Sequence, residues 1–357
     1  MEGSHQSRPC GFGGGANAKY HLAPRHDRGG QGLGRSAADQ RAINAKPPRI
    51  GAVADIGSNS IHLLVAITDG VRLSPLTDES IPSDLGRLVE RRQEIGSKGT
   101  DDVIEALERF HLRATRLGAH SLSVVATEPL RRAKDRSDVL KALRNKVGIE
   151  PVVLSHEEEG LLTVLGLIHP HDRSTPLLVG DIGGGSTEIV SLAPRKRPEA
   201  HGFSIGSARL MTRVNYSDPP KLREWRELRE QAHDAFQALP ATEARRLVLV
   251  GGTATRILKL VPETLLTHAI RPEDLALMGE RLSSLTSVEI SSSFALSERR
   301  ARLLPAGLTI LEALLKQTDV TNLSVDRGGI REGVIIAEAL GGSDWRNSLA
   351  SLVTSQR

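Results

Sequence analysis

Aromatic residues make up only 3% of the 357 positions, and cysteine occurs once, at Cys10. The core must therefore be built from aliphatic side chains, and neither an intrachain disulfide nor a cysteine cluster for zinc can form. No stretch of about 18 apolar residues occurs, so no helical membrane span is expected. The N-terminus lacks the apolar segment of a signal peptide, which points to a cytoplasmic protein. No HExxH pair and no GxSxG elbow is present, which disfavours zinc-hydrolase and serine-hydrolase chemistry.

Excess positive charge is also missing from most of the chain. Residues 1–48 hold seven Lys and Arg against three acids, a balance of +4, and the remainder holds 40 basic and 40 acidic residues. A neutral body does not attract nucleic acid through a general field, so no nucleic-acid partner is expected. Residues 1–48 are rich in Gly, Arg, Gln and Ser without an apolar period, and read as a disordered N-terminal extension.

What the chain does contain is a repeated loop. In Leu177–Val190, LLVGDIGGGSTEIV, an apolar strand ends at Asp181, then Gly183, Gly184, Gly185, Ser186 and Thr187 make a turn, and a second strand leaves it. Glycines let backbone N–H groups converge on phosphate oxygens, and Asp181 is placed to hold a divalent cation or a water against them. Ile50–Ile67, IGAVADIGSNSIHLLVAI, has the same plan, with Asp55 at the strand end and Gly57, Ser58, Asn59 and Ser60 in the turn. The two aspartates lie 126 positions apart, which suggests two related halves facing one ligand. Neither loop contains GxxxxGK or GxGxxG, so P-loop and Rossmann readings lose support. The paired loops resemble the two phosphate loops of the actin-like superfamily.

The elements around these loops alternate between strand and helix, the pattern of an α/β protein. Val71–Ser74 is a candidate third strand, and Pro75–Gly99 reads as irregular. A helix is expected over Thr100–Leu117, with Thr100 as its N-cap and Gly118 after its end. Further helices are expected from Ser137 to Val147 and over Glu157–Ile168. The second half is expected to repeat the plan, with strands at His201–Ile205, Arg246–Val250 and Asn322–Val325. GGTATRI, residues 251–257, is a third Gly-rich turn running into a helix, and Gly252 and Thr253 join the candidate phosphate contacts.

One further stretch carries chemistry. In VVATEPLRRAKDR, residues 124–136, Glu128 follows a buried strand and is surrounded by Arg131, Arg132, Lys134 and Arg136. A carboxylate there can act as general base on an attacking water, and an arginine such as Arg131 can hold phosphate in two-pronged fashion. A solvated helix face is the plainer alternative. Glu157, Glu158 and Glu159 open the next helix; most of such a run serves the helix dipole, but one can face the cleft and bind Mg2+.

Taken in series, DIGSNS (55–60), ATEPLRRAKD (126–135), EEEG (157–160), DIGGGSTE (181–188), GSARL (206–210), GGTAT (251–255) and IREG (330–333) resemble the exopolyphosphatase and guanosine-pentaphosphate phosphatase family over about residues 49–342. The resemblance implies two actin-like (ribonuclease H-like) domains with a cleft between them, over 49–173 and 174–344, the last helix of the second packing back on the first and a tail over 345–357. It implies Mg2+-dependent hydrolysis of the terminal phosphoanhydride of inorganic polyphosphate, with Glu128 as base and Asp55, Glu159 and Asp181 as metal ligands. Guanosine pentaphosphate is the alternative substrate, a non-catalytic polyphosphate or nucleotide sensor the alternative role, and a homodimer the assembly considered. An actin-like ATPase or kinase would give the Glu128 segment no task. Two positions depart from the family pattern: Asp84 replaces an arginine, with Arg87 nearby as a stand-in, and Val152 replaces an acid. A short cationic track over Arg131–Lys146, joined by Arg327 and Arg331, is expected to favour short chains and distributive release.

Overall fold

The computed structural model describes residues 47–169 and 171–355. The disordered extension expected over 1–48 lies outside the described residues, apart from Pro47 and Pro48, and so does Cys10. Five strands make the first sheet: β1 (Arg49–Ile56), β2 (Ser60–Thr68), β3 (Leu73–Pro82), β4 (Ser123–Ala126) and β5 (Val152–Val153), in the order β3-β2-β1-β4-β5. Six make the second: β6 (Leu177–Ile182), β7 (Thr187–Leu192), β8 (Glu199–Phe203), β9 (Arg246–Val250), β10 (Ala269–Ile270) and β11 (Asn322–Val325), in the order β10-β11-β9-β6-β7-β8. Replacing β1 to β5 by β6, β7, β8, β9 and β11 makes the two orders coincide. The pairing senses coincide as well, antiparallel through the first three strands of each set and parallel to the next two. The architecture is a two-domain α/β fold built on a duplicated plan.

Alternation along the strands decides where the site can form, because successive side chains point to opposite faces. In β1, Ala52, Ala54 and Ile56 enter an outer core with Leu107 and Phe110 of the helix Gly96–Arg116. Val53 enters a different core, and by the same alternation Asp55 shares its face. In β6, Leu178 and Ile182 face an outer core, whereas Leu177 and Val179, and with them Asp181, face the same inner layer. That inner layer joins both sheets through Leu161 and Leu162 of the helix His156–Leu165 and Val334 and Ile335 of the helix Ile330–Gly341.

These two helices are exchanged between the sheets. His156–Leu165 packs on β6, β7 and β8, and Ile330–Gly341, which follows the second sheet in sequence, packs back on β1 and β2. They cross at a glycine: a Cβ on Gly333 would lie closer than 3.0 Å to the carbonyl oxygen of Leu162, a backbone atom that cannot swing away. Gly333→Ala is therefore expected to cost about 1–3 kcal/mol or more through overpacking. An unaltered urea midpoint would mean that the two helices can slide apart freely.

Some elements differ from the sequence expectation. β3 runs ten residues through part of the stretch read as irregular, and the helix Leu85–Arg92 occupies more of it. An edge strand with mostly exposed side chains carries little apolar signal and tolerates Pro75 and Pro82. The first long helix starts at Gly96 rather than Thr100, because Asp135 accepts hydrogen bonds from Ile95 N at 3.0 Å and Gly96 N at 2.8 Å. Thr100 lies inside that helix and donates to Gly96 O. The residues expected as a C-terminal tail form the helix Trp345–Ser355, whose Trp345, Leu349 and Val353 are buried. No helix among the described residues is long and apolar enough to cross a membrane.

Candidate active site

The two glycine-rich turns close in the same way. Gly57 N donates to Ser60 O at 3.2 Å, and Gly183 N donates to Ser186 O at 3.0 Å. Both turns line one cleft of about 540 Å³, with Asp55 and Asp181 at its floor. Register places His62 opposite Asp55 and Glu188 opposite Asp181. Burial first, then a charge balance in which Arg331 lowers and Glu332 raises, pushes the Asp55 carboxyl up to about 6. Burial, Glu188 and Asp55 together push Asp181 up to about 8. Asp55 Oδ1 is buried and has no hydrogen-bond partner.

Glu128 begins the short helix Glu128–Arg132 and is almost fully buried. Arg132, one helical turn on, donates to its Oε1 at 2.7 Å, and Arg209 donates to the same oxygen. Ser58 Oγ donates to Oε2 at 3.0 Å. A carboxylate oxygen has two lone pairs, so Oε1 is filled while Oε2 keeps one acceptor position. Oε2 faces the second loop, since a Cβ on Gly185 would lie closer than 3.0 Å to it. Arg209 is delivered from the second half because its helix, Ser207–Val214, is tied to loop carbonyls: Ser207 N donates to Gly183 O, and Ala208 N and Arg209 N to Gly184 O.

A second acidic group lies alongside. His156, Glu159 and Glu188 bring their ligand-capable atoms within 4.8 Å of one another. Glu159 is raised well above the ordinary carboxylate range by burial and by Glu188, against the lowering charge of Arg131. Arg131 itself donates to Leu154 O at 2.8 Å and to Glu159, with His156 Nδ1 at 3.1 Å from its other terminus. This guanidinium, expected on phosphate, is committed to the acidic group and does not line the cleft.

Of the cations expected on the cleft, Arg327 and Arg331 line it, and three others join them. Arg256, Arg299, Arg300, Arg327 and Arg331 line it, whereas none of the basic residues from Arg131 to Lys146 does. Arg132, Arg144 and Lys146 are held by Glu90 and Glu128, Glu150 and Asp101 respectively. Asp84 bridges Arg87 at 2.7 Å and Arg299 at 2.6 Å, so Arg87 is paired rather than free for an anion. Asp55, Gly57, Ser58, Asn59, Ser60, Glu128, Glu159, Asp181, Gly183, Gly184, Gly185, Ser186, Gly252 and Thr253 all line the cleft; Thr187 lies behind it, donating to Ile205 O. Sequence reasoning overlooked Glu188, Arg209, His156, Arg256 and Arg299. Glu188 could have been found, since alternation across the hairpin places it on the face of Asp181.

A family model described as the Ppx/GppA phosphatase family matches residues 52–341. Exopolyphosphatase 1 of Mycobacterium tuberculosis is 27% identical over 303 residues, covering 80% of this chain and 86% of that protein. The Mycobacterium leprae exopolyphosphatase 1 is 27% identical over 302 residues, covering 80% and 88%. The crystal structure of the Aquifex aeolicus Ppx/GppA family member matches with a TM-score of 0.70 at 25% identity, covering 83% of this chain and 99% of that one. An exopolyphosphatase structure from Cytophaga hutchinsonii matches with a TM-score of 0.71 over 82% of this chain and 98% of that one, at 19% identity, a likeness of fold.

Proposed function

The chain belongs to the Ppx/GppA phosphatase family and is a hydrolase of phosphoanhydride bonds; from that premise we propose that it removes terminal phosphate from inorganic polyphosphate, with Glu128 as general base. The observation that carries this reading is the single free acceptor position of Glu128 Oε2, aimed at the second glycine loop. Oε2 takes a proton from a water whose oxygen attacks the terminal phosphorus. The P–O bond to the next phosphate breaks, releasing orthophosphate and a chain one unit shorter. Arg132 and Arg209 fix the carboxylate in place, since both donate to Oε1. Backbone N–H groups of the two glycine loops hold the phosphate oxygens. Phosphoryl transfer depends chiefly on such positioning and charge.

The residues on the cleft floor suit a hard divalent cation. Asp55 has a buried, unpartnered oxygen, Asp55 and Asp181 are raised carboxylates without an ion-pair partner among the described residues, and Glu159 is raised despite its contact with Arg131. Oxygen donors favour Mg2+. When bound there, the ion supplies neutralisation of phosphate charge. Chelation with EDTA is expected to cut phosphate release at least about a hundredfold, with Mg2+ restoring it, because such a cation contributes several kcal/mol. Full activity in excess EDTA would remove the metal from the account.

Polyphosphate is favoured over guanosine pentaphosphate because, among the described residues, the cleft lining contains no Phe, Tyr or Trp on which a guanine could stack. The cationic lining is confined to one cleft, so phosphates far from the end stay in water and release is distributive, favouring short chains. Phosphate release from short and long polyphosphate and from guanosine pentaphosphate, compared side by side, tests the choice. Faster release from the nucleotide would reverse it.

A further inference from the structure

Behind the two arginines that fix Glu128 lies a second carboxylate. Glu90, in the helix Leu85–Arg92, is not among the described residues that line the cleft. Its helix packs on Glu128–Arg132 of the first half and on Ser207–Val214 of the second. Both neighbours turn arginines towards it. Arg132 donates to Glu90 Oε2 at 2.8 Å, Arg213 Nε donates to Oε1 at 2.9 Å, and Arg209 Nε lies 3.2 Å from Oε2. Burial raises the Glu90 carboxyl, but the hydrogen bonds of Arg213 and Arg132 and the charges of Arg213 and Arg209 hold it below the ordinary range. Two guanidiniums are thus shared between two carboxylates. A single nitrogen of Arg132, Nη1, gives one N–H to Glu90 and the other to Glu128 Oε1. Arg209 divides the edge made by Nε and Nη2 in the same way, Nε facing Glu90 and Nη2 donating to Glu128 Oε1. That edge is one with which an arginine grips a single carboxylate by both oxygens. With Glu90 in place the grip is split, and Glu128 Oε2 keeps its open position. Without the Glu90 charge, the two guanidiniums have no other carboxylate than Glu128 among the described residues, and a two-pronged grip by either fills Oε2.

We propose that Glu90 is a positioning residue for the general base: it draws Arg132 and Arg209 onto one oxygen of Glu128 and so reserves the other for the attacking water. This rests on the functional reading above and deepens it by a residue outside the cleft. The charged partners of Glu90, Arg132, Arg209 and Arg213, are likewise not among the described residues that line the cleft, so its effect falls on turnover rather than on substrate affinity.

The test is steady-state hydrolysis of inorganic tripolyphosphate with Mg2+ by the full chain, with Glu90→Gln made both in wild type and in Glu128→Gln. In wild type, kcat is expected to fall about ten- to hundredfold, the scale of a misplaced catalytic group, with KM changed by less than about twofold. In Glu128→Gln the same substitution is expected to change kcat by less than about twofold, because the base it serves is already gone. Arg213→Gln breaks a contact between the same two helices but releases neither Arg132 nor Arg209, and is expected to keep kcat within about threefold of wild type, as suits an exposed pair. Melting temperatures check that each variant folds. Should Glu90→Gln fail to fold, Glu90→Asp, whose shorter side chain draws both arginines back from Glu128, is put through the same two backgrounds. Equal fractional losses in both backgrounds, or an equal loss from Arg213→Gln, would show a merely structural role and overturn the positioning. If Glu128→Gln abolishes turnover while Glu90→Gln turns over as wild type does, the positioning falls and the base stands. If wild type releases no phosphate from tripolyphosphate, or Glu128→Gln retains more than half of its turnover, the functional reading falls and the positioning falls with it.

Discussion

Glu128→Gln is expected to lower phosphate release by about 10²–10⁴-fold, the usual cost of losing a general base. The substitution keeps the volume of the side chain and its acceptor for Ser58 Oγ, but an amide cannot take a proton from water. The contacts of Glu128 come from both halves of the chain, Ser58 and Arg132 from the first and Arg209 from the second. The change leaves Arg209 with Glu90 as its remaining charged partner, at 3.2 Å, so a lower melting temperature is expected alongside the lost turnover. Tripolyphosphate binding separates the two effects: a folded variant that binds the anion and does not hydrolyse it fits the base assignment. A variant retaining more than half of wild-type turnover would take Glu128 out of the mechanism.

Asp181→Asn is expected to move stability and activity in opposite directions. The carboxyl is pushed from the ordinary 3.8 to about 8 by burial, Glu188 and Asp55. Between those values the folded chain holds a proton that the unfolded chain releases, so stability falls as pH rises through that window and stays low above it. A full shift of this size would be worth on the order of several kcal/mol, but the cleft admits water, which screens part of it. In metal-free buffer at pH 8 the asparagine variant should therefore melt a few degrees above wild type, and the gain should vanish towards pH 4. The same variant should lose most of its phosphate release and most of the stabilisation that Mg2+ gives wild type, since it removes a charge the cation needs. Thermal melts across pH, with and without Mg2+, read both effects. A variant less stable than wild type at pH 8 without metal would show that the carboxylate is already balanced by the protein.

The halves of the fold were legible because both central hairpins carry uninterrupted apolar strands that end in Asp-Ile-Gly. Asp55 and Asp181 could be named from sequence for that reason, and strand alternation alone then places them on one inner face. The strand Asn322–Val325 and the helix end at Gly148 were likewise local signals. What sequence did not show was set by distant partners. The start of the helix Gly96–Arg116 depends on Asp135, and the long edge strand Leu73–Pro82 depends on pairing with its neighbour rather than on its own apolar content. The cationic wall was misplaced for a related reason. Arg131, Arg132 and Arg144 look free in sequence, yet each meets a carboxylate in the fold. Arg300 lies in a stretch without a motif, and Arg256, at the end of the GGTATRI turn, reaches the cleft because the helix Gly251–Ile257 starts directly from the end of β9. The stripe Trp345, Leu349, Val353 repeats every four residues and was readable as a helix from sequence alone.

The central claim is that water attacks the terminal phosphorus. Hydrolysis of tripolyphosphate in water enriched in oxygen-18, with Mg2+ present and followed by phosphorus NMR, tests it most directly. The account predicts orthophosphate carrying one labelled oxygen, unlabelled pyrophosphate at first turnover, and both products formed at least about a hundredfold more slowly by Glu128→Gln. Label in the remaining chain, or unlabelled orthophosphate, would contradict it.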